Sequence, residues 1–358
     1  WTSVPSCVGG GDDAATRVAV VTEFGRAGLD AMSDKSVLAD ELIQLAVESP
    51  TAEDLRIHGL VAEAVAKPST GLGRPFFAAL GAAGAAALPD LVVASRHPGT
   101  DVSASTDEAK LDVLGRYGHG LALSERSGSL GFDAVELFAR AGTHGPAVYF
   151  AGGARFSQSF AVESATAVLS GGGPDLSGLT GSHADGLADP RTLVLDGVIR
   201  HGIDGRLALL DSLEVSLGND YLDAILWPPV RIAPNEAGPD GTTSYHPVED
   251  LLAPIIALPD ARPGLGAAIV DNAARHSETP RLETANVIQH AIIADPLLIA
   301  PEHGGAFGRS NDVLSPDGKI DPDKLDLIGR MGGDNYIRTQ SISDDKTASV
   351  FQMPRPAR

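Results

Sequence analysis

Between Arg17 and Phe24 the run RVAVVTEF is apolar and β-branched, and a helical period follows it from about Lys35 to Glu48. In that second stretch Val37, Leu38, Leu42 and Leu45 share one face. A β-branched run of this length predicts a strand and the 3.6-residue period predicts a helix. The chain therefore opens on a strand followed by a helix.

The same alternation recurs downstream. Thr51 caps a predicted second helix, with Asp54 completing a box-like start and Leu55, Leu60, Val61 and Val65 facing inward. Leu91 to Ser95 reads as a short buried strand, Asp107 to Tyr117 and Gly131 to Ala141 as amphipathic helices, and Ala147 to Phe150 as a strand ending at Gly152 and Gly153. Strands alternating with helices predict an α/β fold with a largely parallel sheet in the N-terminal half. Residues 171–190 are rich in Gly, Ser, Asp and Pro, which predicts a linker between an α/β domain over 1–170 and a second domain over 191–358. There Thr192 to Arg200 reads as a strand, Leu207 to Leu217 fits either helix or strand, and Val287 to Ala300 is a long apolar run. Prolines between Pro228 and Pro263 predict irregular or β-rich structure for this half.

Charge narrows the partners. Forty-seven acidic against 27 basic residues give a formal net charge of −20, which repels nucleic-acid phosphates and anionic lipid headgroups. Neither nucleic acid nor membrane is an expected partner; a small-molecule substrate is, along with a possible homo-oligomer. The alanine- and glycine-rich stretch from Ala78 to Leu88 reads as a packed helix. The single cysteine, Cys7, cannot form an internal disulfide framework, and a reduced cytoplasmic setting is the simplest expectation.

The sequence offers several fragments of chemistry and no complete signature. There is no GxxxxGK[ST] loop, Gly71 and Gly73 lack the third glycine of a dinucleotide fingerprint, and SGSLG at Ser127 to Gly131 departs from the GxSxG elbow in its first residue. AGGARFS is more informative. Ligands of open α/β sheets collect at strand ends, so Gly152, Gly153, Arg155 and Ser157 are expected to cradle an anionic group such as a phosphate. Histidines beside glycine or acid, namely His97, His119, His144, His183 and His303, are candidate ligands or acid/base groups. His183 and Asp185 form an HxD pair that chelates a divalent metal if a third ligand such as His246 or His303 joins it.

The last forty or so residues contain DVLSPDGKIDPDKLDLIGRMGGDNYIRT and then VFQMPRP. Asp317, Gly318, Asp321, Leu325, Gly329, Arg330, Gly332, Gly333, Tyr336, Arg338 and Thr339, followed by Phe351, Met353, Arg355 and Pro356, carry the pattern. This segment resembles the C-terminal part of flavin-reductase-like proteins with an FMN-binding split β-barrel. The resemblance implies a flavin-linked oxidoreductase, with FMN or FAD held noncovalently and NAD(P)H as hydride donor. It places Arg330, Gly332, Gly333 and Tyr336 near the flavin.

Two shorter phrases, VVTEFGR and THGPAVYFAGGARF, resemble fragments of metal-dependent hydrolases of the alkaline-phosphatase-like class. That resemblance implies a divalent metal held by residues such as His183, Asp185 and His303 to activate water. A non-enzymatic, shell-forming structural protein is the third class.

Overall fold

The structure, a computed structural model, describes residues 14–27, 32–47, 54–95, 104–128, 130–139, 145–171, 189–228, 232, 246–276 and 280–295, together with the backbone at 338–339 and 351–352. The chain divides into two compact units, Trp1–His201 with Ala237–Thr243, and Gly202–Glu236 with Ser244–Arg358. Apart from its ends Gly171, Asp189 and Pro190, the expected linker lies outside the described residues.

The α/β expectation is overturned. Thirteen α-helices make up the described secondary structure, apart from short 3-10 segments and one two-residue antiparallel pairing of Arg338–Thr339 with Phe351–Gln352. The run RVAVVTEF lies in α1 (Ala14–Arg26), where Val18, Val21 and Gly25 are buried at helical spacing. Leu91 to Ser95 closes α4 (Gly73–Ala94), Ala147 to Phe150 belongs to a 3-10 segment (Pro146–Gly153), and Thr192 to Arg200 falls on α8 (Pro190–Ile199). Short continuous apolar runs carry no usable period, whether one face is buried as in α1 or nearly all as in α8, so β-branching alone cannot separate strand from helix. The β-rich expectation for the C-terminal half fails as well. Its described residues form α9 (Gly202–Leu217), α10 (Tyr221–Leu226), α11 (Pro247–Ile256), α12 (Leu265–Arg275) and α13 (Leu282–Ala294).

The resemblance to flavin-reductase-like split barrels is corrected by the same finding, because a split barrel is a closed sheet and the described residues are helical.

In the first unit, α2 (Met32–Val47) buries Leu38, Ala39, Leu42, Leu45 and Ala46, and α3 (Asp54–Ala66) buries Leu55, Val61, Ala62 and Val65. Thr51, expected to cap the second helix, lies outside the described residues. Helix α4 is long and apolar enough, by length and composition, to cross a bilayer. Its Phe76, Phe77, Leu88 and Val92 are buried, and it packs against α2 and α5 (Ala104–Ser127).

Two glycines of α5 set how closely the 3-10 segment can approach it. A Cβ at Gly118 would sit 1.8 Å from the Tyr149 carbonyl oxygen, and one at Gly115 would sit 3.0 Å from that of Ala151. Helix α5 and the 3-10 segment therefore meet backbone to backbone. Tyr149 is fully buried and donates its hydroxyl to the Ala85 carbonyl at 2.6 Å, with burial holding the phenol far above its usual range. After α6 (Ala134–Phe138) and the 3-10 segment comes α7 (Gln158–Leu169), which packs with α8.

Candidate functional site

The turn from Ala151 to Ser157 gathers polar and charged groups from three helices of the first unit. Gly152 and Gly153 take φ of +66° and +79°, which a side chain would strain. Aromatic packing fixes the second half of the turn: the Phe156 ring lies 4.5 Å from Phe150 and 4.8 Å from Phe160, stacked on the latter at 11°. Ser157 follows Phe156 in the chain and N-caps α7, its Oγ accepting from the Phe160 N–H at 3.3 Å.

The anion at this helix start is the protein's own. Ser157 donates its backbone N–H to Glu125 Oε2 at 3.0 Å and its hydroxyl to Glu125 Oε1 at 2.6 Å. A carboxylate at a helix N-terminus satisfies unpaired amides and complements the dipole, as a bound phosphate does. Ser159 Oγ lies 3.2 Å from the Ser157 hydroxyl.

Helix α8 supplies the cationic side. Gly197 admits the Phe150 ring, since a Cβ there would sit 2.4 Å from it, and one turn later the Arg200 guanidinium lies over Gly153. A Cβ at Gly153 would be 3.2 Å from Arg200 Nη1. Arg200 and Arg155 are both exposed, and among the described residues neither has an ion-pair partner. In a chain of net charge −20 such arginines are free to receive an external anion.

His201 comes next in the chain. Burial pushes its imidazole below the usual histidine range, and a hydrogen bond to the Phe156 backbone and the Glu125 charge offset that only in part. The ring is therefore neutral at pH 7 and able to accept a proton. Burial, reinforced by Asp133 and Glu125, holds the Glu163 carboxyl above its ordinary value.

Four of the expected residues, Gly152, Gly153, Arg155 and Ser157, thus share one turn, and Glu125, Arg200 and His201 join them. His201 stands immediately before Gly202, the same glycine-flanked context that singled out the other histidines. Nothing local in the sequence marks Glu125, which reaches the turn from 32 residues away. Arg330, Gly332, Gly333 and Tyr336, like His97, His144, His183, Asp185 and His303, lie outside the described residues. His119 is exposed on α5.

The second unit holds two polar clusters. Fully buried Asn272 accepts from Trp227 Nε1 at 2.8 Å and donates to Asp223 Oδ1 at 2.5 Å, while His276 stacks on Trp227 at 4.2 Å with Nε2 3.1 Å from the same oxygen. Burial alone would raise Asp223, but the Asn272 and His276 hydrogen bonds and the charges of His276 and Arg275 hold it below its ordinary value. Between α11 and α13, Glu249 accepts from Asn286 at 2.8 Å and lies 3.1 Å from His290 Nε2. His246 Nδ1 is 3.2 Å from Glu283 Oε1, an ion-pair distance without hydrogen-bond geometry. Among the described residues no three His, Cys, Asp or Glu side chains converge as metal ligands.

No family model matches the chain, no curated protein is similar to it, and no solved structure matches it. The oxidoreductase and flavin expectation, which rested on the C-terminal resemblance, is corrected accordingly: the described fold is helical and no related family supports it.

Proposed function

We infer that the first unit is a hydrolase acting on a small anionic ester, with the Ala151–Ser157 turn and the end of α8 as its site. One observation carries this reading: the Arg200 guanidinium lies over Gly153 without an ion-pair partner among the described residues, and the next residue is a histidine kept neutral by burial. Arg200 holds the substrate's anionic group and opposes the charge that grows on it in the transition state. The missing side chain at Gly153 lets the guanidinium itself lie close over the turn. His201 takes the proton from the attacking water as its oxygen bonds to the ester's central atom, the imidazolium returns that proton to the alcohol oxygen as the ester bond breaks, and the Phe156 carbonyl orients the ring. Glu125 holds the turn in shape through Ser157, and its charge favours the imidazolium that forms.

Turnover of phosphate monoesters, sulfate monoesters and carboxylate-bearing esters tests this. One of these classes is expected to be hydrolysed, with His201→Gln lowering kcat by on the order of 10²- to 10⁴-fold at nearly constant KM. Arg200→Ala is expected to raise KM and to lower kcat as well, because the guanidinium meets the anionic group in both the ground state and the transition state. Hydrolysis that survives His201→Gln, or no hydrolysis of any class, overturns the assignment.

A further inference from the structure

A cavity of about 320 Å3 opens between α1 and α3, in the lower part of the range typical of small-molecule sites. Val18, Ala19, Leu60 and Ala64 line its apolar part. Thr22 adds a methyl there, because its hydroxyl donates back to the Val18 carbonyl at 2.8 Å. The polar lining is balanced in charge, with one acid and one base from each helix: Glu23 and Arg26 from α1, Glu63 and Lys67 from α3. Glu23 and Arg26 pair at 3.1 Å, and Glu63 pairs with Lys67. Behind Glu63, Arg116 lies 4.0 Å away and is itself held by Asp112 at 2.7 Å.

We propose that this cavity binds a free α-amino acid with a branched aliphatic side chain, as the zwitterion. The side chain covers Leu60 and Ala64, the α-carboxylate meets Arg26 and Lys67, and the α-ammonium meets Glu23 and Glu63. A ligand that carries both charges can exchange both pairs at once, whereas a purely anionic or cationic ligand leaves unpaired the acid or base that it displaces. The existing ion pairs do not bar the site. All four side chains are more than a third exposed, and exposed pairs contribute little, so exchanging them for ligand contacts is nearly neutral. Glu63 senses bases from both helices: the Lys67 hydrogen bond, against opposing burial, and the charges of Lys67, Arg116 and Arg26 hold it below its ordinary value. This site shares no residue with the turn around Gly153, so it stands or falls independently of the hydrolase reading.

Isothermal titration of the full chain with L-leucine, 4-methylpentanoate and 3-methylbutylamine tests it, the latter two each lacking one charged group of the zwitterion. Saturable leucine binding at one site, about tenfold or more tighter than either analogue, is expected. Lys67→Gln, a change at a partly exposed side chain, is expected to weaken leucine several-fold and not to weaken the amine, since Glu63 loses its competing partner. Leu60→Trp, checked for native circular dichroism, is expected to abolish binding by filling the cavity. Three outcomes overturn the proposal: no saturable heat with millimolar leucine, either analogue binding as tightly as leucine, or leucine binding unchanged in Lys67→Gln.

Discussion

Ser157 gives both its backbone N–H and its hydroxyl to one carboxylate, that of Glu125, 32 residues away on α5. The start of α7 is thus tied to the end of α5 by an internal anion. Hydrogen bonds to charged groups contribute roughly 1.5–3 kcal/mol each when shielded, less where water competes. With Glu125 half-buried, Glu125→Ala is expected to cost about 1–3 kcal/mol in total. Hydrogen exchange at the Ser157 and Phe160 amides should accelerate before that of the α5 core. Unchanged protection at these amides would show that the clasp contributes nothing.

Protonation of His201 should be visible in stability. Its folded-state pKa lies below the ordinary value of 6.5, so the unfolded chain binds more protons in that window. The stability that depends on neutral His201 is complete above about pH 6.5 and is lost as pH falls toward the folded value. Urea unfolding at several pH values should show this slope in the wild type, and His201→Gln should flatten it. A wild-type curve with no slope below pH 6.5 would contradict the assigned burial.

The close approach of α5 to the 3-10 segment has its own test. Gly118→Ala places a methyl 1.8 Å from the Tyr149 carbonyl oxygen, with backbone on both sides and no flexible group to yield. Its cost is expected at about 3 kcal/mol, the upper end for overpacking. Gly59→Ala, whose nearest neighbour is a Val113 methyl at 3.7 Å, should instead be neutral or stabilising by about 0.5–1 kcal/mol, as glycine-to-alanine changes inside helices are. Equal unfolding midpoints for the two variants would refute the packing.

Helices with a marked apolar face were legible in the sequence, although Val37, read onto the buried face with Leu38, Leu42 and Leu45, is exposed. The period read from Lys35 to Glu48 lies on α2, and that from Asp107 to Tyr117 lies inside α5. What failed was the reading of short β-branched runs. Val18 and Val21 are spaced for a helix, but Val20 between them is also apolar, and a continuous run hides its period. Thr192 to Arg200 misled for the same reason, since α8 is buried nearly all round. Removing the strands removes the parallel sheet, and with it the reason to expect ligands at strand ends.

The site shows a different limit. Glycine spacing marked the turn at Gly152 and Gly153 because positive φ leaves a trace in composition. Arg200 and Glu125 left none, since each reaches the turn only through the packing of α8 and α5 against it. Long-range placement of this kind is a property of the fold, and a mistaken fold class hides it.

Sulfate, a dianion across the whole working range, is the simplest probe of an anion site built from Arg200 and His201, with binding followed through the His201 ring resonances in wild type and in Arg200→Ala. Saturable binding is expected in the wild type, raising the His201 pKa and strengthening as pH falls through that titration. Affinity should fall about tenfold or more in Arg200→Ala. His201 resonances that do not move with sulfate, or that move equally in wild type and Arg200→Ala, would contradict the site.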